Sequence, residues 1–591
     1  MSVTKELEEI VKIVNSNRIE LAFSKIKKLK EENNNNIDVI YTFAQIAQKA
    51  NYIEDAIESF EKILENKTED EKLLSIISKL YIQKNNTDKA LVYINKILSK
   101  IPYDESANKD KAYILYNYQK YREAKKYINI VIERSPKDYF ALNISGLILL
   151  EENNILKAKS SFEKAIKINQ KFHDSYLNLG VCYYKLEDFD KAFKSFKYVY
   201  KENKNNISAI LNIANLLSLK GKNLYAISLY EKILDIDSNN KIALSNLALS
   251  YFRLKDLKNS KKYFKKSIEV NPNDNELMYS YSTMLINLNY FAEGLRYFDK
   301  RLLIKKNTAN LKTYECFKDK VFNISSLKPN ERIFVLREQG IGEEILFSSV
   351  YKDLLEKFHN VKIEADKRLI SIFNRSFDKK IFFDTDYVLK YKNLIRNYDK
   401  IIYAGSLIKF FRQKEADFKT NAFIIDDKDK TEKLKKQFIN EKKITVGISW
   451  RSKINIFGKL KSLKIEDFKV LFNEKRLIIN LQYGDINKDK EFLKKTNNNL
   501  VHLENIDLFN DLESCISLLK NLDYFVTVSN STAHLAGALG IKTILIVPNQ
   551  SSSYYYWDLS KNSSIWYKSI KVVKIEGSIN KTMAKIHKII V

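Results

Sequence analysis

The first 305 residues carry small and large apolar residues at positions that recur every 34 residues. One small position is alanine seven times in succession, and Ser260 and Gly294 continue its register. The seven alanines are Ala22, Ala56, Ala90, Ala124, Ala158, Ala192 and Ala226. Another small residue usually precedes this position by twelve, and a large apolar residue usually follows it by four. This pattern therefore predicts that each unit forms two helices, which cross closely at the small residues. Pro102, Pro136 and Pro272 fall in phase, where a residue without an N–H ends the second helix.

This spacing resembles the tetratricopeptide repeat, with about nine units over residues 1–305. The resemblance implies a helical superhelix with a concave binding face, lined by the first helix of each unit. Asn178, Asn212 and Asn246 recur at 34-residue spacing on that helix, two positions before its small residue. An asparagine ladder there could hydrogen-bond the backbone of a bound peptide, as in the superhelix of O-linked N-acetylglucosamine transferases. The alternative is coincidence in a chain where asparagine is abundant.

The pattern changes near residue 305, where short apolar runs begin to alternate with helical stretches. Nine of the thirteen glycines and all three tryptophans lie beyond residue 320. The predicted strands are Arg332–Leu336, Val361–Glu364, Ile401–Tyr403, Ile444–Ile448, Leu477–Leu481, Tyr524–Val528 and Thr543–Val547. Alternation of strands and helices predicts a largely parallel sheet, with ligands at the carboxyl ends of its strands.

Two loops that follow predicted strands have the composition of phosphate-binding turns. Strand 332–336 leads into Gly340 and Gly342, and a glycine-rich turn before a helix lets the backbone approach a ligand closely. Strand 524–528 leads into a polar loop and then a helix over 533–539, with His534 in its first turn. The polar residues of this second loop are Ser529, Asn530, Ser531 and Thr532. Free N–H groups and the positive end of the helix dipole favour an anion there. The alternative is an ordinary strand–helix turn.

These loops resemble the signatures of heptosyltransferase-like glycosyltransferases of the GT-B fold. The family pattern is Asp-Thr-Gly, two residues, His-Leu-Ala and then Ala-Leu-Gly. This chain has Ser529 for the aspartate and Ser531 for the glycine, and it keeps His534. The resemblance implies that Ser529–His534 hold the diphosphate of a nucleotide-sugar, and that His534 donates to a phosphate. It also places Glu343 at the acidic position of the first loop, as the general base for an acceptor hydroxyl. The alternative for Glu343 is an acid that faces the helix dipole.

The same resemblance assigns further donor contacts. Arg451 and Lys453 follow strand 444–448 and would neutralise the leaving diphosphate; a solvated basic loop is the alternative. Gln482 ends the next strand. Lys488 stands near the position of the ribose-binding glutamate of the family, and Asp489 or Glu491 could substitute for that glutamate.

A metal site is not predicted. The nearest Asp-x-Asp pattern is Asp384-Thr385-Asp386, which has no second set of ligands and is interpreted as a surface turn.

Composition adds limits on compartment and partners. The net charge is +28, from 101 Lys and Arg against 73 Asp and Glu. A basic balance can indicate nucleic acid, but lysine is spread along the helices and no nucleic-acid motif accompanies it. Cys182, Cys316 and Cys515 are scattered, which predicts neither a disulfide framework nor a metal cluster and fits a reducing compartment. The charged amphipathic start is unlike a signal peptide, and no apolar run is long enough to span a bilayer. We expect a cytoplasmic protein without a cofactor.

Together these patterns predict an α-helical tetratricopeptide superhelix followed by an α/β GT-B domain of two Rossmann-like halves. The expected boundaries are 1–305 for the repeats, 306–330 for a linker, and 331–430 and 440–591 for the two halves. The predicted function is an inverting, metal-independent glycosyltransferase, which moves a sugar from a nucleotide-sugar to an acceptor recruited by the repeat groove. The alternative is a non-catalytic scaffold with a degenerate transferase domain, favoured by Ser529, Ser531 and the short first half. The sugar, the nucleotide and the acceptor class stay open.

Overall fold

A computed structural model describes most of the 591 residues. The described residues are 2–66, 70–308, 311–321, 327–419, 421–438, 443–452, 461–487, 489, 492, 500–547, 555–557, 562–575 and 577–590. The predicted donor contact Lys453, and also Lys488 and Glu491, lie outside the described residues. The chain forms two compact units, Met1–Ala209 and Ile210–Val591.

Nine pairs of helices fill the described residues from Val3 to Phe298, and each pair begins 34 residues after the previous one. They are α1 Val3–Asn15, α2 Ile19–Glu32, α3 Ile37–Lys49, α4 Ile53–Asn66, α5 Glu71–Gln83, α6 Thr87–Lys100, α7 Glu105–Asn117, α8 Tyr121–Arg134, α9 Tyr139–Glu151, α10 Ile155–Ile168, α11 His173–Lys185, α12 Phe189–Glu202, α13 Ile207–Leu219, α14 Asn223–Ile236, α15 Lys241–Arg253, α16 Leu257–Val270, α17 Asn275–Asn287 and α18 Phe291–Phe298. The predicted helical repeat array is confirmed.

The small positions of the repeats are explained by the approach of neighbouring helices. A Cβ atom added at Gly146 would lie 2.5 Å from the Phe162 ring, and one at Gly180 would lie 2.4 Å from the Phe196 ring. Phe162 and Phe196 are the large apolar residues that follow the small position by four, and both are fully buried. In each of these two repeats, a buried phenylalanine ring packs directly against the backbone of a glycine, and the 34-residue period of the sequence reflects this contact.

The described residues of the remaining chain form two sheets, and the named strands pair in parallel in both. The first has the order β3-β2-β1-β4 and the second the order β10-β9-β8-β5-β6-β7. The strands are β1 Ile333–Leu336, β2 Val361–Glu364, β3 Phe382–Phe383, β4 Lys400–Tyr403, β5 Ile444–Ser449, β6 Arg476–Asn480, β7 Leu500–Val501, β8 Tyr524–Val528, β9 Thr543–Val547 and β10 Ile570–Lys574. The predicted parallel sheets are confirmed, and β3, β7 and β10 are additional strands.

Short helices precede, connect and follow these strands. They are α19 Lys305–Thr308, α20 Tyr314–Phe317, α21 Ile341–Ser348, α22 Tyr351–Lys357, α23 Ile370–Ser376, α24 Thr385–Lys390, α25 Lys392–Ile395, α26 Ile408–Phe411, α27 Lys428–Phe438, α28 Leu512–Lys520, α29 Ser531–Ala538 and α30 Ile579–Ile589. Single 3-10 turns cover Asp299–Leu303, Ala404–Leu407, Glu415–Asp417 and Ile465–Leu471. Across the described residues, every helix is too short or too polar to cross a membrane.

The last helix pair of the array shares its hydrophobic core with the first sheet. Ile286, Phe291, Leu295 and Phe298 are buried in one cluster with side chains of β1 and α21. Directly after this pair, the buried Arg301 side chain binds Glu338, with 2.7 Å from Nε to Oε2 and 2.7 Å from Nη2 to Oε1. The final repeat is therefore joined to the loop that follows β1.

Candidate functional site

The loop after β1 brings a glycine helix start into contact with a second helix. Gly340 precedes α21, and Gly342 lies in its first turn. A Cβ atom at Gly342 would lie 2.9 Å from Cδ2 of His534, which belongs to α29. Gly342 therefore permits α21, after the first sheet, and α29, after the second sheet, to approach each other closely.

The loop after β8 is held by buried hydrogen bonds. Asn530 is the N-cap of α29: its Oδ1 accepts from the backbone N–H of Ala533 at 3.0 Å, and its Nδ2 donates to Ser449 Oγ at 2.9 Å. The Trp557 indole donates to Ser529 Oγ at 2.9 Å. The polar loop predicted from the sequence is thus rigidly positioned at the start of α29, where unpaired N–H groups and the helix dipole favour an anion.

His534 is a buried, neutral imidazole. Burial, with a contribution from the Lys461 charge, lowers the pKa of His534 to about 3. Its Nδ1 lies 3.0 Å from the Tyr567 hydroxyl. Burial holds the pKa of Tyr567 well above its usual range, so this hydroxyl keeps its proton and is able to donate to Nδ1. In that arrangement Nε2 carries the imidazole proton, and His534 acts as a neutral hydrogen-bond donor.

Eight of the residues predicted from the two loops line one pocket of about 290 Å³. They are Gly340, Gly342, Glu343, Ser529, Asn530, Ser531, Thr532 and His534. The second sheet and its loops add Ser452, Lys461, Tyr483 and Phe509, and Arg368 comes from the first α/β half. Two loops that lie almost two hundred residues apart in the sequence therefore form a single site.

Lys461 is a pocket residue that the sequence interpretation missed. Its side chain is buried, and burial lowers its pKa to about 8, although the nearby Glu343 charge acts in the opposite direction. Burial in turn raises the pKa of Glu343, and Lys461 and a hydrogen bond from Tyr556 oppose that rise. The pocket therefore contains an acid and an amine that each stabilise the charge of the other.

Glu343 also lines a second, larger cavity of about 1150 Å³. This cleft shares Gly340, Arg368 and Phe509 with the smaller pocket. Tyr279 and Thr283 of α17, the first helix of the last repeat, form part of its wall. A carboxylate thus lies where a loop-lined pocket meets a cleft that the repeat array borders.

Buried acids surround the base of this cleft. Arg337 bonds Glu344 at 3.0 Å and Asp366 at 3.1 Å, while Thr385 donates to Glu364 at 2.8 Å. Burial raises the pKa of Glu344 and of Glu364 to about 7 in each case. Arg337 therefore holds Glu344 and Asp366 in place, and the Thr385 hydroxyl holds Glu364.

The Asp384-Thr385-Asp386 pattern lines the larger cleft. Asp384 is the N-cap of α24, where its Oδ1 accepts from Tyr387 N at 2.8 Å. Within the described ranges, no cluster of three His, Cys, Asp or Glu side chains is arranged to hold a metal ion.

Two residues that were predicted to contact the donor form bonds within the protein instead. The Arg451 guanidinium pairs with Asp489 at 2.6 Å and donates to the Asp485 carbonyl at 2.8 Å. Gln482 Oε1 accepts from the backbone N–H of Trp450 at 2.9 Å and of Arg451 at 2.7 Å, so it joins the ends of β5 and β6. Neither residue is among those that line the pocket.

The three ladder asparagines are half-buried on the first helices of their repeats. In the first unit, Asn178 Nδ2 donates to Asn143 Oδ1 at 3.0 Å. In the second unit, Asn246 Nδ2 donates to Asn215 Oδ1 at 2.9 Å, and Asn212 lies on the same helix as Asn215. Asn178 and Asn246 therefore connect neighbouring repeats through side-chain amides.

Comparison with known proteins identifies the repeats. A tetratricopeptide repeat model matches residues 242–274, and a model of the N-terminal tetratricopeptide region of Psidin matches residues 71–215. The chain is 26% identical to Protein FlbA of Caulobacter vibrioides over 257 residues, covering 38% of this chain and 42% of FlbA. It thus spans less than half of that relative. The helical array is therefore built of tetratricopeptide repeats.

Similar solved structures include repeat proteins of low identity. A tetratricopeptide repeat protein from Parabacteroides merdae is 16% identical, with a TM-score of 0.38; the match covers 42% of this chain and 98% of that one. YrrB, described as a repeat protein with an unusual peptide-binding site, is 19% identical, with a TM-score of 0.26 and coverages of 32% and 97%.

Proposed function

We propose that the α/β part is an inverting, metal-independent glycosyltransferase of the GT-B class, and that the repeats recruit its acceptor. The observation that carries this proposal is the position of Glu343, which lines both the loop-lined pocket and the larger cleft. A direct transfer needs a base between a donor and an acceptor, and Glu343 is the carboxylate at that junction.

The donor diphosphate occupies the smaller pocket in this proposal. The N–H groups that begin α29 and the ammonium of Lys461 favour an anion there, and His534 donates a neutral hydrogen bond to a phosphate oxygen. A neutral imidazole suits this task because, with a pKa of about 3, it stays an uncharged donor across the physiological pH range. The nucleotide-sugar is a co-substrate, and no further cofactor is proposed.

The acceptor hydroxyl enters from the larger cleft. Its oxygen attacks the anomeric carbon while the bond from that carbon to the diphosphate oxygen breaks, and Glu343 takes the hydroxyl proton. The diphosphate leaves as an anion, which Lys461 stabilises at close range. Attack from the side opposite the leaving group inverts the anomeric centre. Because α17 borders the cleft, an acceptor held on the repeats is able to reach Glu343.

The test is a screen of UDP-, ADP-, GDP- and CMP-linked sugars by thermal shift and donor hydrolysis. We expect one donor to raise the melting temperature and to be hydrolysed slowly. Glu343→Gln should keep the thermal shift and lose turnover, by roughly a hundredfold or more if the carboxylate is the base. Glu356→Gln, on the exposed side of α22, is the matched control and should behave like the wild type. A donor that binds and turns over equally in Glu343→Gln would contradict the proposed base.

The second candidate is a repeat scaffold whose α/β part binds a ligand without catalysis. This candidate is favoured by Ser529, which stands where the family has an aspartate. The Ser529 hydroxyl accepts a hydrogen bond from the Trp557 indole inside the protein. Binding of a nucleotide-sugar without hydrolysis or transfer would support this second candidate. Absence of binding to all four donor classes would remove the transferase proposal.

A further inference from the structure

An arginine without an acidic partner lies on the repeats of the second unit. Arg253 is the last residue of α15, and its Nη1 donates to Ser218 Oγ of α13. Arg301, Arg337, Arg368 and Arg375 each pair with a carboxylate. Among the residues that the structure describes, no carboxylate forms an ion pair with Arg253. Its charge is therefore held on the protein without a neutralising group.

Burial partly desolvates the Arg253 guanidinium, and no described carboxylate pairs with it. Burial lowers the pKa of Arg253, and the nearby Tyr230 acts in the opposite direction. Arg253 is nevertheless only partly buried, so part of the residue stays open to solvent. A partly desolvated, uncompensated cation gains free energy when an anion binds beside it.

Polar side chains with peptide-binding chemistry lie on the same two helices as Arg253 and its partner Ser218. Tyr230, which is close to Arg253, donates to Asn215 Oδ1 at 2.6 Å, and Asn246 donates to the same oxygen at 2.9 Å. Both interactions use the oxygen of Asn215 and leave its Nδ2 without a partner among the described residues. Asn246 and Arg253 are seven residues apart on α15, and so face the same side of that helix.

We infer that Arg253 binds the carboxylate of an aspartate or glutamate in an extended peptide that lies across the first helices of these repeats. The planar guanidinium matches a carboxylate through two parallel hydrogen bonds, and the amides of Asn215 and Asn246 are suited to the peptide backbone. This inference rests on the peptide-binding class of the repeats and needs no transferase activity. It gives the repeat face a preference for acidic residues, which an asparagine ladder alone does not provide.

The experiment compares two sets of labelled nonapeptides that differ only by aspartate or asparagine at one position, moved stepwise through a glycine-serine background. Binding to the full chain is measured by fluorescence polarisation without any nucleotide-sugar. We expect at least one aspartate peptide to bind roughly tenfold more tightly than its asparagine twin. Arg253→Met should abolish that preference, and Arg253→Lys should reduce it.

Ser218→Ala is the matched control, because it removes the internal partner of Arg253 and keeps the guanidinium. It should retain the preference for aspartate, which a purely structural Arg253–Ser218 contact would not predict. Equal binding of the twin peptides by the wild type, or no binding of either, would overturn the inference. So would an aspartate preference that survives in a folded Arg253→Met or Arg253→Gln variant. None of these outcomes depends on donor turnover, so the two proposals fail separately.

Discussion

At the scale of single residues, Lys461 has the largest consequence for the candidate site. It is a buried amine whose pKa is lowered to about 8, within a pocket that the proposed function fills with a diphosphate. Below that pH the side chain carries its charge, and above it the charge is lost. A diphosphate should therefore bind more weakly as the pH rises through about 8, even though the ligand itself does not change its charge there.

This pH dependence is directly measurable. Between pH 7 and pH 9 we expect the affinity for the nucleoside diphosphate to fall by up to about tenfold in calorimetry, because one pKa unit corresponds to about 1.4 kcal/mol. Lys461→Arg should bind at both pH values with little change, since a guanidinium keeps its proton. Lys464→Arg alters an exposed lysine three residues away and should retain the wild-type pH dependence. A pH-independent wild type would show that Lys461 does not contact the diphosphate.

The sequence predicted some site residues and missed others for identifiable reasons. Glu343 and His534 follow strands in short motifs, so the local pattern is enough to place them at strand ends. Lys461 is one of 101 basic residues, and only the folding of distant segments distinguishes it from a solvated lysine. Arg451 sits at a predicted strand end, yet Asp489 pairs with it, a tertiary contact that the motif does not encode.

At the scale of elements, the close approach of α21 and α29 holds the site together. Gly342→Ala adds a Cβ atom 2.9 Å from the His534 ring, so one of the two helices must shift. We expect a loss of about 1–3 kcal/mol in stability, measured as a lower melting temperature, together with weaker donor binding. The smaller pocket depends on the same contact.

Gly340→Ala provides the steric control for that variant. A Cβ atom at Gly340 would meet only Glu343 Oε2 at 3.5 Å, an ordinary contact, and the backbone there is in an extended conformation. Gly340→Ala should therefore melt close to the wild type. If both alanine variants melt alike, the packing of α21 on α29 does not limit stability.

The repeats and the main strands were predictable because each has a period or a composition of its own. Every turn within a helix pair also contains a left-handed residue at 34-residue spacing, from Asn17 to Asn289, with Gly221 among them. The sequence did not reveal β3 and β7, which are two residues long and form only through pairing with longer neighbours. β10 was missed although it has five residues, since its two lysines, Lys571 and Lys574, are also typical of an exposed segment.

At the scale of the whole molecule, the last repeat belongs physically to the α/β part. A fragment of residues 207–591 keeps α17, α18 and Arg301, and should remain soluble with the donor-induced thermal shift of the full chain. A fragment of residues 306–591 removes the apolar partners of the first sheet and leaves Glu338 buried without Arg301. Breaking a buried ion pair in this way costs about 3–5 kcal/mol, so this fragment should aggregate or melt far lower.

Two variants of the full chain test whether the ion pair between Arg301 and Glu338 accounts for this loss of stability. The full chain with Arg301→Met should be destabilised, and Arg301→Met with Glu338→Gln should recover part of the loss because no unpaired charge remains. Differential scanning fluorimetry of the two variants and the two fragments measures all four effects. Equal melting of the 207–591 and 306–591 fragments would mean that the final helix pair is an independent appendage.

The uniform length of the repeats has a genetic consequence. Because helix pairs start at one constant interval from Val3 to Asn275, recombination between the coding segments of any two repeats stays in frame and inserts or deletes whole helix pairs. Such events can change the number of repeats over generations without altering the side chains that pack within each repeat. The pair that ends at Phe298 is exempt, since its loss would also remove Arg301 and the packing against β1. Lineages carrying this architecture should therefore vary in repeat number upstream and preserve the last pair.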